Sequence, residues 1–249
     1  MPSPYGDEIR GISAATGIDL GLIVLYNIAY EIEGGCTSIV AQDTKGNLIH
    51  GRNLDFGLFF GWDKQNHTWA LTEKLRPLLL NARFQSNGVT LFNATYYAGY
   101  VGLLTGYKTN GFSITVDTRF DNTLWKGLKA WFAGNYTAQF LSFTTRSVMM
   151  EEINYENALL RLNNTIMVGP SYIILGGYTS GEGAVITREG AQSFHLWTLN
   201  QSLANNSYFV IETNYDHWKP PPFYDDRLDP AVSVSTKGCQ FLVRSGVKI

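Results

Sequence analysis

The chain has 249 residues, a length that suits one large domain or two small ones. Nineteen Lys and Arg against 21 Asp and Glu leave a net charge of −2, which excludes the basic footprint of a nucleic-acid binder. Aromatic residues at 14% exclude disorder, and two cysteines exclude a disulfide-dense miniprotein.

Residues 6–15 and 18–32 read as helices, the second with Leu25, Ile28, Ala29 and Ile32 at helical spacing and a Gly34-Gly35 stop. A hairpin follows, with strands at 37–42 and 47–54 around an Asp43–Gly46 turn. A second hairpin spans 78–97, where Asn87-Gly88 supplies the positive φ angles of a tight turn. Residues 99–105 and 112–116 read as further strands. Leu124, Leu128, Trp131 and Phe132 recur at helical spacing, as do Tyr155, Ala158, Leu159 and Leu162. Strands return at 172–176, 184–187, 194–198 and 208–213, so the order of elements implies an α+β layered fold. Trp125, Trp131 and Phe132 are expected in the core or in helix-to-sheet packing. After Lys219-Pro-Pro-Pro222 and Asp225-Asp226-Arg227, residues 233–249 carry little amphipathic pattern and read as a tail.

No transmembrane segment is expected, because 18–32 is interrupted by Asp19, Gly21, Asn27 and Glu31 and falls short of the roughly 20 apolar residues a bilayer needs. The start, Met1-Pro2-Ser3-Pro4, lacks a signal-peptide pattern. Six N-x-S/T acceptors begin at Asn66, Asn93, Asn135, Asn163, Asn200 and Asn205, where composition alone gives about three. That excess implies a secretory-pathway protein whose signal lies upstream of this chain. His50, His67, His195 and His217 show no ligand spacing, so no metal and no cofactor are expected.

Cys36 follows two glycines and opens a strand. A flexible backbone there lets the thiol attack the preceding carbonyl, and cutting Gly35–Cys36 gives Cys36 a free α-amine, with a reference pKa near 7.7–8.0, to act as its base. A lone cysteine is more ordinarily a small buried apolar residue. The segment His50-Gly-Arg-Asn-Leu-Asp55 shifts that balance, since the hairpin returns Arg52 and Asp55 beside Cys36, and a nearby arginine stabilises a thiolate.

Cys36-Thr-Ser-Ile-Val-Ala-Gln-Asp43 followed by His50-Gly-Arg-Asn-Leu-Asp-Phe56 resembles the catalytic-chain start in the family of acid ceramidase and N-acylethanolamine acid amidase. The resemblance continues through Gly99–Gly106, Gly176-Gly177 with Gly181-Glu-Gly183, Val185–Arg188 and Glu212–Lys219, and ends near Ala231. It implies an N-terminal nucleophile hydrolase with an αββα four-layer sandwich, incomplete at the C-terminus. It divides the chain into the helical end of a propeptide-derived α-subunit (1–35), a truncated catalytic β-subunit (36–231) and an atypical tail (232–249). Cys36 is implied as nucleophile and cleavage site together with Gly35. Arg52, Asp55 and Arg227 are implied as active-site residues, and Asn214 as the oxyanion donor, a role that one positioned amide fills with about 10²–10³ in rate. The family places a glutamate where Thr118 stands here, leaving Asp117 as the nearest acid. Ceramide hydrolysis to sphingosine and a fatty acid is the activity implied first, favoured by the segment from Phe60 to Phe84, and N-acylethanolamine hydrolysis the second. Lysosomal residence, a retained α-subunit fragment and a lipid-transfer activator are implied with it. A non-catalytic glycoprotein with a Cys36–Cys239 disulfide is the reading from another class.

Overall fold

The computed structural model describes residues 3–32, 35–55, 61–121, 123–190, 192–205 and 207–245. Helices α1 (Tyr5–Thr16) and α2 (Leu20–Ile32) precede the hairpin β1 (Gly35–Gln42) and β2 (Leu48–Asp55). A short pair, β3 (Trp62–Asp63) and β4 (Thr68–Trp69), and α3 (Ala70–Leu75) lead to the hairpin β5 (Leu79–Ser86) and β6 (Val89–Tyr97). Then come β7 (Thr105–Tyr107), β8 (Ser113–Thr118), α4 (Thr123–Phe132), α5 (Leu141–Glu151) and α6 (Tyr155–Asn164). The chain continues through β9 (Ser171–Gly176), β10 (Gly183–Glu189), β11 (Gln192–Thr198), α7 (Leu199–Ala204), β12 (Phe209–Glu212) and α8 (Leu228–Ser245).

The strands form a three-stranded sheet, β12-β1-β2, and a seven-stranded sheet, β11-β10-β9-β8-β7-β6-β5. They pack face to face, with Val40 and Val210 of the smaller sheet against Tyr172, Ile174 and Val185 of the larger. Strand alternation then turns Ile114, Ile173, Leu175 and Ile186 to the far side of the larger sheet, where Val148 and Met149 of α5 and Ala158 and Leu162 of α6 bury them. On the outside of the smaller sheet, Leu228 and Ala231 of α8 cover Ile39, Ala41, Phe209 and Ile211. The result is helix, sheet, sheet, helix, an α+β arrangement in which both sheets are buried on two faces.

Both expected hairpins form, with Asn87 at φ 49° and Gly88 at φ 78° in the second turn. Three expectations fail for identifiable reasons. Residues 99–104 join no strand, although 100–104 are buried. The Leu103 N–H donates to the Ser142 carbonyl at 2.8 Å, so the N-terminal turn of α5 takes the place of a neighbouring strand. Helix α5 itself carries no apolar stripe to reveal it, because Thr144, Thr145 and Arg146 are buried beside its apolar residues. Residues 233–245, read as a tail, continue α8, which opens on the Asp226 cap of the Asp229 N–H at 3.1 Å. Trp125 and Phe132 are exposed at 57% and 69% rather than core, while Trp131 packs on Phe140 and Tyr136. Of the acceptor asparagines, Asn66, Asn135, Asn200 and Asn205 are exposed and Asn93 and Asn163 are half-buried. Phe56, Gly34 and Phe60 lie outside the described residues, as does the side chain of Cys239.

Gly127 lets α4 lie directly on the backbone of Val168, since a Cβ there would fall 1.7 Å from the Val168 carbonyl oxygen. Gly127→Ala is therefore expected to cost about 2 kcal/mol through overpacking. A urea midpoint unchanged from the parent protein would contradict this contact.

Candidate active site

Cys36 is the second residue of β1, and register pairs Gly35 with Asp55 and Ser38 with Arg52 across the hairpin. The alternation that buries Val40 also turns the Cys36 side chain inward, where it is fully buried as a free thiol. Arg52 Nη2 donates to Cys36 Sγ at 3.3 Å, and the Tyr30 hydroxyl of α2 lies 3.0 Å from the same sulfur. The guanidinium also donates to the carbonyls of Leu104 at 3.1 Å and Val116 at 2.8 Å, and to the Tyr30 hydroxyl at 3.0 Å. Burial pushes the Cys36 thiol up to about 11, with Arg52 and the Tyr30 hydroxyl pulling the other way. In the uncut chain the sulfur is thus a protonated thiol held against a fixed cation.

The backbone of Cys36 is gripped from the opposite side. Its N–H donates to Asn214 Oδ1 at 2.6 Å, and its carbonyl accepts from Arg227 Nη1 at 2.8 Å. Asn214 Nδ2 donates to the Thr118 carbonyl at 2.7 Å, so each end of the amide is assigned by its partner. The family role expects the amide N–H of Asn214 at the oxyanion, whereas here Asn214 reaches Cys36 through its oxygen. Asn214 has φ 75°, in the left-handed region that Asn tolerates better than other side chains. Arg227 Nη2 adds a bond to Asn214 Oδ1 at 3.0 Å and is itself held by Asp225. Asp55 lies 3.9 Å from Arg227 at the surface end of this group, and burial raises its carboxyl, opposed by Arg227 and Arg52.

Thr118 and Asp117 fall on opposite sides of β8. Asp117 joins Ser113 and Thr115 on the side toward the smaller sheet, and its Oδ1 lies 4.0 Å from Arg52 Nη2. Thr118 joins Ile114 and Val116, and its hydroxyl finds no hydrogen-bond partner among the described residues. No acid therefore stands where the family glutamate is expected.

Sequence reasoning missed two groups. One is Tyr30, which looks like any other apolar position of α2. The other is the brace behind Asn214, in which Asp216 accepts from Arg119 at 2.9 and 3.1 Å, Tyr172 at 2.7 Å and Lys219 at 2.7 Å. The Asn214–Lys219 motif was visible, but its partners come from β9 and from the end of β8. Beside Arg52 a cavity of about 650 Å³ opens, its walls formed by Leu54, Leu75, Leu79, Tyr97 and Leu104 and by polar residues that include His50, Arg76, Thr72 and Thr95. That size is in the range of small-molecule sites.

Two sheets sandwiched by helices, with a thiol at the start of a central strand, are the arrangement of the N-terminal nucleophile hydrolases. The model of the linear amide C–N hydrolases, choloylglycine hydrolase family, matches residues 36–232, starting at that cysteine, and the chain belongs to this family. It is 47% identical over 232 residues to acid ceramidase of Rattus norvegicus, covering 93% of this chain and 58% of the relative. Acid ceramidases of Macaca fascicularis and Homo sapiens are 48% and 47% identical over the same coverage. Among solved structures, the Caenorhabditis elegans N-acylethanolamine-hydrolyzing acid amidase ortholog superimposes with a TM-score of 0.65 at 31% identity, covering 80% of this chain and 77% of that one. The chain spans 58% of the length of these acid ceramidases.

Burial would raise the Asp216 carboxyl, but its bonds from Arg119, Lys219 and Tyr172 outweigh that and hold it well below the usual range. Its stabilisation is present above the unfolded pKa and is lost as pH falls toward the folded one. Asp216→Asn is expected to cost about 2 kcal/mol at neutral pH. The gap from the parent should narrow below about pH 4 in denaturant titrations.

Proposed function

We propose that this chain is the core of a self-processing lipid amidase that cuts its own Gly35–Cys36 bond and then hydrolyses ceramide. The observation that carries this reading is the Cys36 thiol, buried immediately after Gly35 and held at 3.3 Å by Arg52, which also lines a cavity of mixed polar and apolar walls. In the first step the sulfur attacks the Gly35 carbonyl, the peptide C–N bond breaks and the released amine takes a proton. The thioester to Gly35 is then hydrolysed by water, leaving a free thiol. The new α-amine of Cys36 inherits Asn214 Oδ1 as acceptor and gains Asp55, which faces Gly35 across the hairpin, as a nearby carboxylate. It then acts as base for the thiol.

In turnover Cys36 attacks the amide carbonyl of the lipid, forming an acyl thioester and releasing sphingosine, and water carries the acyl group away as a fatty acid. Asn214 and Arg227 hold the Cys36 backbone in register through its N–H and its carbonyl. The 1–35 segment remains as an α-subunit fragment. Three contacts support its retention: Arg146 with Glu8 at 2.6 Å, Tyr5 with Ser147 at 2.6 Å, and Asn27 Nδ2 with the Gly99 carbonyl at 3.0 Å. Ceramide is favoured by the 47% identity to acid ceramidase against 31% to the ethanolamide-hydrolysing structure. The exposed acceptors at Asn66, Asn135, Asn200 and Asn205 support glycosylation and passage to the lysosome, with a lipid-transfer partner delivering the insoluble substrate.

Intact-mass analysis after acidification is expected to give fragments of 35 and 214 residues. Cys36→Ala should stay whole. An uncut parent chain at every pH would end the self-processing reading. Parallel turnover of ceramide and an N-acylethanolamine should favour ceramide, and a strong preference for the ethanolamide would reverse the substrate assignment.

A further inference from the structure

We propose that Asp117 is a positioning residue for Cys36, an acid-switched counter-charge that competes with the Cys36 thiolate for the Arg52 guanidinium and is linked to the cavity by a chain of side-chain hydrogen bonds. The inference rests on the reading of Cys36 as nucleophile.

The chain is continuous and one-directional. The Ser38 hydroxyl donates to Asp117 Oδ1 at 2.8 Å, and the Thr115 hydroxyl donates to Ser38 Oγ at 2.9 Å. With its own hydrogen spent, Thr115 Oγ1 accepts from His50 Nε2 at 3.0 Å. The ring is then neutral with Nδ1 as acceptor, facing the Ser113 hydroxyl at 2.7 Å. Burial and the charge of Arg52 keep His50 neutral, lowering its pKa to about 4. His50, Thr115 and Ser113 all line the cavity, whereas Ser38 and Asp117 are sealed between the sheets.

The Ser113 hydroxyl lies between His50 Nδ1 and the Gly176 carbonyl, to which it donates at 3.2 Å. The Ser38 and Thr115 hydroxyls point their hydrogens along the seam toward Asp117, which suits a carboxylate acceptor. Burial opposes that charge and pushes the carboxyl up to about 7, against the pull of Arg52 and the Ser38 hydroxyl. Asp117 Oδ2 finds no donor among the described residues. The charged and titratable groups around it are Arg52 and Asp55 from β2, Cys36 from β1, Tyr30 from α2, Glu212 from β12, Tyr172 paired with it on β9, and Arg227 ahead of α8. Arg52 is the cation that both Asp117 and the Cys36 sulfur approach, at 4.0 and 3.3 Å.

Two anions on one guanidinium raise each other's pKa, so the site favours carrying one proton between them. On acidification a proton from the cavity side enters at His50 Nδ1. In the same concerted shift Nε2 gives its hydrogen to Thr115, Thr115 to Ser38 and Ser38 to the carboxylate, so the ring stays neutral and only changes tautomer. The carboxylate becomes neutral, Arg52 is left with the sulfur alone, and the thiol can release its proton while the charge of the site stays balanced. Acid thus removes the competitor and partly offsets the ordinary loss of thiolate at low pH.

The decisive variant is Asp117→Asn, which keeps the Ser38 bond and mimics the neutral acid. Self-cleavage rates of variant and parent should agree near pH 5. The variant should lead by about tenfold near pH 8.5, where only the parent carries the competing charge. In a Cys239→Ser background, ultraviolet titration of the Cys36 thiolate should show a midpoint about one unit lower in Asp117→Asn. Ser38→Ala removes the donor that favours the carboxylate, so its rates should follow the parent with the acid response moved to higher pH. A variant-to-parent ratio that does not change with pH, together with an unmoved thiol midpoint, would overturn the proposal. If the parent never cuts itself, the self-processing reading fails while the thiol midpoint still decides the role of Asp117. If Asp117→Asn does not fold, the direction of the Ser38→Ala shift decides it.

Discussion

The interior is organised by one buried cation. Arg52 is pulled out of water at a cost of several kcal/mol unless its donors are matched. Its matches come from Tyr30 on α2, Cys36 on β1, the carbonyls of Leu104 and Val116, and Asp117 beyond hydrogen-bond range. Satisfying that guanidinium fixes where the lead-in helix, the first strand and the two sheets meet. The thiol is one of its partners, so assembling the fold and setting the nucleophile are the same event.

Negative charge is handled more sparingly. Asp117 and Glu212 are both fully buried, and register places Glu212 beside Ser38. Burial, with the nearby Asp117, pushes the Glu212 carboxyl far above the ordinary range. The seam between the sheets therefore holds two buried carboxyls, both disfavoured as charges by their burial. Arg227 and Asp225 close the solvent side as a two-toothed ion pair, with Asp225 oxygens 2.7 and 2.9 Å from Arg227.

Much of this was legible in the sequence because it is local. The Asp43–Gly46 turn sets the hairpin register, and that register alone brings Arg52 and Asp55 back to Cys36. Asn87-Gly88 set the second hairpin in the same way. What was not legible depends on residues far apart in the chain. Residues 99–104 look like a strand but are claimed by α5 through Ser142. Helix α5 hides its identity because its buried face includes Thr144, which donates to the Phe140 carbonyl, Thr145, which donates to the Leu103 carbonyl, and Arg146, which donates to Glu8 and to the Val101 carbonyl. The polar seam through Ser38, Thr115 and His50 arises only where two sheets stack, since each residue alone reads as an ordinary strand position.

Asn214 shows how little freedom such a site leaves to sequence drift. Its backbone occupies a conformation that glycine and asparagine accept readily, while its side chain must accept from Cys36 and donate to the Thr118 carbonyl at once. Glycine would satisfy the backbone and drop both bonds. Aspartate would keep the acceptor and lose the donor, and glutamine would keep both groups on a longer arm that strains the turn. No single replacement preserves both requirements, so the codon for this residue is isolated. A neutral path away from it would have to pass through a neighbour that remodels the turn first.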